Sequence, residues 1–218
     1  MTDYATARLN MVESQLRTNK VVDERLLEAF AAVPRELFVP PALAAAAYVD
    51  DDLPLGGGRW LIEPMVLARL LQLAELGAGD RVLEIGCGSG YGTVLLARLV
   101  RSVIAVECDA GLAAQATARL LELGQRSAII VEGRLEDGYA SRAPYSAIVF
   151  EGAVAQVPAA ISGQLAEGGR VVAVIKRDNE VGRAVLVTRL HGALSQRTIF
   201  DAAVPLLPGF REEPSFVF

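Results

Sequence analysis

The segment that most constrains the fold is RVLEIGCGSGYGTVLLARL, which spans residues 81–99. It begins with a short apolar run, Arg81 to Ile85, whose residues fit a buried β-strand. Glycines then occupy three alternate positions, Gly86, Gly88 and Gly90, and an apolar pattern with helical spacing follows. A strand that turns through glycines into a helix places several backbone N–H groups at the carboxyl edge of a sheet. The segment therefore predicts a nucleotide-type pocket at that edge.

The spacing of the glycines narrows the class of ligand. A dinucleotide site requires G-x-G-x-x-G, and Tyr91 holds the third glycine position here. A phosphate-binding P-loop requires a lysine, which this turn lacks. Glu84 lies at the tip of the strand, and Glu107 follows the next apolar run, where an acid typically binds ribose hydroxyls. The pattern predicts S-adenosylmethionine, which carries both an amine and a ribose; a tight turn beside two solvated acids is the alternative.

Composition limits the partners and the location of the chain. It has 218 residues and a formal net charge of −5, so neither nucleic acid nor an acidic membrane is an expected partner. The sequence shows no apolar run of transmembrane length and no signal-peptide pattern, which predicts a cytoplasmic protein. Cys87 and Cys108 predict free thiols, with no metal site. His191 is expected at the surface or at a strand end. The oligomeric state stays open between a monomer and a homodimer.

The pattern of the whole chain predicts helices followed by an α/β domain. Residues 1 to about 50 have helical spacing, with Asp23 as an N-cap, and residues 50–65 predict an irregular segment. From Pro64 onward, apolar strands alternate with helices, which predicts a doubly wound, mostly parallel, Rossmann-like sheet with helices on both faces. Strands are expected at 81–85, 102–107, 128–132, 145–151 and in RVVAVIK, with a C-terminal antiparallel hairpin. We expect residues 1–63 to form N-terminal helices and a substrate loop, and residues 64–218 the cofactor-binding domain, in one compact unit.

Several stretches resemble the protein-L-isoaspartate O-methyltransferase family. They are MVESQLR, LLEAFAAVPRELFVP, AYVDDDLPLGGG, DRVLEIGCGSGY, APYSAIVFEGAVAQVP and QLAEGGRVVAVI. The resemblance extends to about residue 176 and implies that the Rossmann-like sheet is of the class I methyltransferase type. It implies transfer of a methyl group from S-adenosylmethionine to the free carboxylate of an isoaspartyl residue in a damaged protein or peptide. Such a carboxylate is ionised at neutral pH, so the enzyme's main task is in-line placement of the reactants.

The resemblance also implies a set of cofactor contacts, and this sequence departs from two family positions. The implied contacts are Glu84, Gly86, Cys87, Gly88 and Gly90 at the methionine part, Glu107 and Cys108 at the ribose, and Arg134 and Leu135 at the adenine. Ile62 stands where the family carries a Ser or Thr hydroxyl that holds cofactor and substrate. Arg134 stands where the family carries the acid that binds the adenine amine. Arg59 and Trp60 enlarge the loop, and Glu63 adds a negative charge near the expected substrate.

Three functions stay open at this point. The first is a repair-type methyltransferase, in which Ile62 marks the catalytic loop and Glu151, at a strand end, orients a substrate or is simply solvated. The second is a methyltransferase with a different acceptor, which the apolar run from Trp60 to Ile62 favours. The third is a catalytically inactive binding module, which Arg134 favours.

Overall fold

The computed structural model describes residues 3–177 and 180–210, and its N-terminal part is helical. Helix α1 (Tyr4–Met11) continues into a π turn, Val12–Leu16. Helix α2 (Glu24–Ala32) begins where the sequence predicts, because the Asp23 side chain accepts hydrogen bonds from two N–H groups of the first turn. Two 3-10 turns, Arg35–Phe38 and Pro41–Ala46, follow this helix. Proline cannot continue an α-helix, which accounts for the short turns.

The predicted irregular segment is instead a small β-hairpin, so that prediction was wrong. Strand β1 (Leu53–Gly56) pairs in antiparallel fashion with β2 (Arg59–Leu61). The three glycines at its tip, Gly56 to Gly58, all have positive φ, which allows the chain to reverse within two residues. The hairpin forms a two-stranded sheet of its own.

The main sheet has seven strands and confirms the predicted fold class. The chain runs through α3 (Pro64–Leu73), β3 (Arg81–Ile85), α4 (Tyr91–Leu99), β4 (Ser102–Glu107), α5 (Ala110–Glu122), β5 (Ala128–Glu132), β6 (Tyr145–Val154), α6 (Ala159–Ser162), β7 (Leu165–Ile175), β8 (Arg183–Leu190) and β9 (Ala193–Asp201). The strand order is β5-β4-β3-β6-β7-β8-β9. The first five strands in that order are parallel, and β8 and β9 form the predicted antiparallel hairpin. The chain changes direction across the sheet between β3 and β6, and such a point opens a crevice at the carboxyl ends of the strands.

An apolar core lies on each face of the sheet. Successive side chains of β3 point to opposite faces, so Leu83 and Ile85 join one core and Val82 joins the other. Glu84 shares the face of Val82, which α4 covers, and its side chain is fully buried. A carboxyl group is therefore enclosed beneath the first turn of α4. Within the described ranges, no helix combines the length and the apolar character that a membrane span needs.

Candidate cofactor site

The turn between β3 and α4 has the geometry that the glycine pattern predicts. Gly86, Gly88 and Gly90 have φ angles of 78°, 55° and 90°, a region that side chains disfavour. The N–H of Gly86 donates to the carbonyl of Val106 at 2.8 Å, which ties the turn to the neighbouring strand β4. Gly90 directly precedes α4, so the turn carries the free N–H groups of a helix N-terminus.

Glu107, at the end of β4, lies fully buried beside this turn. Its carboxylate accepts hydrogen bonds from the backbone N–H groups of Gly88 at 2.7 Å, Cys108 at 2.9 Å and Asp109 at 3.1 Å. The Arg59 guanidinium donates to it from Nε at 3.1 Å and from Nη2 at 3.0 Å. Burial raises the pKa of Glu107, but the bonds from Arg59 and the backbone outweigh burial and bring the pKa below its ordinary value. Glu107 is therefore a buried, ionised carboxylate.

Arg59 connects the hairpin to the strand ends. Besides binding Glu107, its Nη2 donates to the carbonyl of Gly86 at 2.7 Å, and the side chain is only 3% exposed. Arg59 was predicted to enlarge the loop, and its ion pair with Glu107 was not predicted. An arginine beside a glycine triplet, in a chain with two acids at neighbouring strand ends, was the available signal. The predicted ribose acid is thus already engaged by the chain's own cation.

Side chains of this chain also fill the space above the glycine turn. A Cβ added to Gly86 would lie 2.7 Å from Leu207 Cδ2 and 2.9 Å from Arg59 Nη2. A Cβ on Gly152 would lie 2.7 Å from the same Leu207 atom. An ionised acid beside a side-chain-free turn fits the ribose and methionine parts of S-adenosylmethionine. In the described conformation, however, the Arg59 and Leu207 side chains occupy the space above Gly86, which is the cofactor slot. A nucleoside can enter this slot only if both side chains move.

A second buried carboxyl group lies next to Glu84. Glu151 is only 4% exposed, because β6 extends three residues beyond it, so it is neither solvated nor open to a cleft as the sequence analysis expected. A Cβ on Gly92 would lie 1.4 Å from Glu151 Oε1 and 2.7 Å from Glu84 Oε1, which places the two carboxyl groups together. Thr93 Oγ1 donates to Glu84 Oε2 at 2.6 Å, and the Oε1 atoms have no other partner among the described residues.

Burial determines the protonation of this pair. It raises the pKa of Glu84 to about 7 and raises the pKa of Glu151 well above its ordinary value, the nearby Glu84 charge adding to the second shift. Two adjacent carboxylates in a dry site cannot both ionise readily. The pair therefore holds at least one proton near neutral pH, and we expect this proton to lie between the two Oε1 atoms, which have no other hydrogen-bond partner among the described residues.

Raising the pH is expected to destabilise the fold through this pair. A carboxyl group whose pKa is raised by folding stabilises the protein fully below its unfolded pKa, and this contribution is lost as the pH rises through the folded pKa. For Glu84 that window runs from the ordinary 4.5 to about 7. Urea unfolding at about pH 5 and about pH 8 measures the loss.

The Glu151→Gln variant is the control for this pH effect. Glu63, whose pKa burial and nearby acids raise to about 7, titrates in the same window, so the difference between wild type and variant is the readout. Because a neutral amide would replace the second acid, the variant is expected to lose less stability than wild type. An equal loss in both proteins would show that the pair does not share a proton.

Ile62, at the family's hydroxyl position in the loop, lies in the core, and a hydrogen bond to its backbone carbonyl holds it there. Its side chain is 1% exposed, and its carbonyl accepts a hydrogen bond from Arg35 Nη2 at 2.8 Å. Arg35 is fully buried, donates to the carbonyl of Ala47 at 2.7 Å and lies 4.9 Å above the ring of Tyr91. The sequence analysis did not single out Arg35. Of the apolar run from Trp60 to Ile62, Trp60 is 37% exposed, whereas Leu61 and Ile62 are buried.

The two residues predicted to lie at the adenine, Arg134 and Leu135, differ in their exposure to solvent. The Arg134 side chain is 75% exposed and lies 3.2 Å from Glu136 and 3.9 Å from Asp137, whereas Leu135 is buried in the core. Both cysteines are free thiols, with Cys87 buried and Cys108 exposed. His191 is exposed in the turn between β8 and β9, as predicted.

A family model described as Protein-L-isoaspartate(D-aspartate) O-methyltransferase (PCMT) matches residues 7–206. The chain belongs to this family. A protein-L-isoaspartate O-methyltransferase of Koribacter versatilis is 38% identical over 209 residues, which are 95% of this chain and 93% of that protein. One of Methylorubrum extorquens is 43% identical over 173 residues, which are 78% of this chain and 74% of that protein.

A solved structure titled as a protein-L-isoaspartate O-methyltransferase shares the fold. It has a TM-score of 0.81 and 26% identity, and the match covers 93% of this chain and 66% of that chain. The predicted family, fold and class of enzyme are therefore confirmed. S-adenosylmethionine, the cofactor that the sequence predicts, is confirmed by the methyltransferase family and by a solved structure from Plasmodium falciparum that is titled as a complex with S-adenosyl-L-homocysteine. That structure has a TM-score of 0.79 and 19% identity, and the match covers 92% of this chain and 97% of that chain.

Proposed function

We propose that this chain methylates isoaspartyl carboxylates in proteins or peptides. We also propose that the described structure is a closed state, in which Arg59 and Leu207 block the cofactor slot above Gly86. Glu107 carries the proposal, because three backbone N–H groups hold its carboxylate ionised at the end of β4. A carboxylate fixed in this way has its remaining lone pairs directed at the slot, where the Arg59 guanidinium now donates. Two ribose hydroxyls can replace those two N–H donors without further change at the acid.

The glycine turn and its neighbours would hold the rest of the cofactor. S-adenosylmethionine supplies a methyl group on a positively charged sulfonium, which an ionised carboxylate can attack without a catalytic base. Gly86 and Gly88 would face the methionine and ribose parts, with Glu84, Cys87, Gly90 and Cys108 around them. Leu135 and the segment that begins at Arg134 would flank the adenine.

The role of the residues around this loop is to hold the substrate in place, not to transfer protons. Arg35 fixes the loop by binding the carbonyl of Ile62, so the chain entering α3 is rigid while the hairpin before it pairs only with itself. Asp50 and Asp52 lie close to Glu63 and form an acidic cluster beside the loop, and this charge disfavours an anionic acceptor. The raised pKa of Glu63, about 7 because of burial and then Asp50, removes part of that charge near neutral pH. Glu151 lies too deep to touch an acceptor in this state.

Label transfer to a matched pair of peptides tests the proposal. The protein is incubated with methyl-labelled S-adenosylmethionine and a peptide containing isoaspartate, or the same peptide containing aspartate. We expect label in the isoaspartyl peptide alone. Absence of label, together with measurable binding of S-adenosylhomocysteine, would instead favour the second alternative, an acceptor of different chemistry.

The filled slot also favours a second candidate, a binding module that has kept the fold. Arg59 and Leu207 satisfy the glycine turn internally, so the fold needs no nucleoside for its stability. A ligand that binds only the folded state raises the melting temperature. If millimolar S-adenosylhomocysteine produces neither heat nor a melting shift, the module is the better description. The predictions of a cytoplasmic location, of a monomer or homodimer and of no nucleic-acid partner accompany the main proposal.

A further inference from the structure

A cavity of about 260 Å³ opens at the amino ends of β3, β4 and β5. It lies on the sheet edge opposite the cofactor site, about 15 Å away along strands of five residues. Its polar lining consists of Arg81, Arg126, Arg142, Ser102, Ser127 and Tyr145. None of the residues predicted to form the cofactor site or the substrate loop lines this cavity.

The charge around this cavity is unbalanced. All its lining residues are neutral or basic, although the chain as a whole has a net charge of −5. Within the described part of the chain, the Arg81, Arg126 and Arg142 guanidinium groups form no ion pair, and Nη2 of Arg81 donates to the Arg142 carbonyl at 2.5 Å. By contrast, Arg59 at the cofactor site and Arg17 and Arg119 in the helical segments bind carboxylates. Clustered like charges repel each other, and a bound anion removes that repulsion.

The remaining lining is apolar or aromatic. Val103 and Ile104 lie on β4, and Ile129 on β5 is 46% exposed, so the cavity has an apolar floor open to solvent. Tyr145 begins β6, and Arg81 and Arg142 lie close enough to act electrostatically on its hydroxyl. A ligand suited to these surroundings has an anionic group and an apolar or flat body.

We propose that this cavity binds a small organic phosphate, with Arg81, Arg126 and Arg142 around the phosphate and the body of the ligand on Ile104 and Ile129, which are paired on one face of the sheet. Guanidinium groups match phosphate oxygens in paired hydrogen bonds, which favours phosphate as the anion. The volume is just below the range of typical ligand sites, so a nucleoside monophosphate or a sugar phosphate is the appropriate size. The site is independent of methyl transfer.

Calorimetric titration of the full chain with uridine 5′-monophosphate, at fixed ionic strength, tests the proposal. Uridine without phosphate, inorganic phosphate and a dicarboxylate serve as comparison ligands. We expect the monophosphate to bind more tightly than all three. Arg126→Gln and Arg142→Gln should each weaken its binding about tenfold, since each removes a charge-assisted hydrogen-bonding group.

Arg197→Gln is the matched control, because this exposed arginine lies on β9, outside the cavity. It should leave monophosphate binding unchanged, and all three variants should keep the wild-type melting temperature and affinity for S-adenosylhomocysteine. The proposal is overturned if Arg197→Gln weakens binding as much as the cavity variants, which would indicate general surface charge. It is also overturned if uridine or the dicarboxylate binds as tightly as the monophosphate.

Discussion

Replacing Glu107 by alanine is expected to lower the free energy of unfolding by about 3–5 kcal/mol, because it leaves a buried cation without its partner. Arg59 is 3% exposed and would keep only the carbonyl of Gly86 as an acceptor. The N–H groups of Gly88, Cys108 and Asp109 would lose their acceptor as well. Urea unfolding at neutral pH measures the change. An acid that served only to bind a ligand would affect affinity and leave stability nearly intact.

The exposed pair of Arg17 and Glu24 provides the control. Its two hydrogen bonds, of 2.8 and 2.9 Å, are at least as short as those of the buried pair, but both side chains are open to water. Glu24→Ala should therefore leave the unfolding midpoint unchanged. If Glu107→Ala is as stable as Glu24→Ala, Arg59 reaches solvent easily and the closed state described above is wrong. Combining Glu107→Leu with Arg59→Leu should recover part of the loss, since both charges are then absent.

Replacing Gly92 by alanine is expected to lower the free energy of unfolding by about 3 kcal/mol or more. In an unobstructed helix the same change would raise the free energy of unfolding by about 1 kcal/mol, so the direction of the change shows whether the helix is obstructed. The added Cβ would lie 1.4 Å from Glu151 Oε1 and 2.5 Å from its Cδ. The carboxyl group cannot retreat without leaving Glu84 and its shared proton. Thermal or urea unfolding measures the effect.

Two further variants decide whether the clash is the cause. Gly79→Ala is the control, since a Cβ there meets nothing within 4 Å. Glu151→Ala removes the obstructing carboxyl group, so Gly92→Ala should cost far less in that background, with a coupling free energy above about 1 kcal/mol. Additive losses would mean that helix α4 is disturbed for another reason and that the two carboxyl groups do not lie together.

Local sequence patterns were sufficient for most of the fold. Apolar strands and helical spacing are encoded within ten residues or so, and Asp23 begins α2 where predicted because capping depends on its immediate neighbours. The hairpin was missed because its strands have only four and three residues, too few for a pattern to emerge beside three glycines. Strand length also explains why the burial of Glu151 was not predicted. The predicted strand ended at Glu151, which placed this residue at the carboxyl edge of the sheet, whereas β6 continues to Val154.

The candidate site was predictable in its backbone and not in its contacts. The positive φ angles at Gly86, Gly88 and Gly90 follow from the glycine pattern itself. The partner of Glu107 is 48 residues away in sequence, and no local rule connects the two. Leu207 comes from a segment beyond the last strand, and its contact with the glycine turn depends on the whole sheet being assembled.

Calorimetric titration of wild type and Arg59→Gln with S-adenosylhomocysteine tests the central claim most directly. The glutamine variant keeps the three backbone donors to Glu107 and removes the guanidinium that occupies the slot. The account predicts that the variant binds at least about tenfold more tightly than wild type, a gain of about 1.4 kcal/mol. Arg17→Gln, remote from the slot, should bind as wild type does. Binding to Arg59→Gln that is no tighter than to wild type, or absent from both, would contradict the claim that Arg59 closes a functional cofactor site.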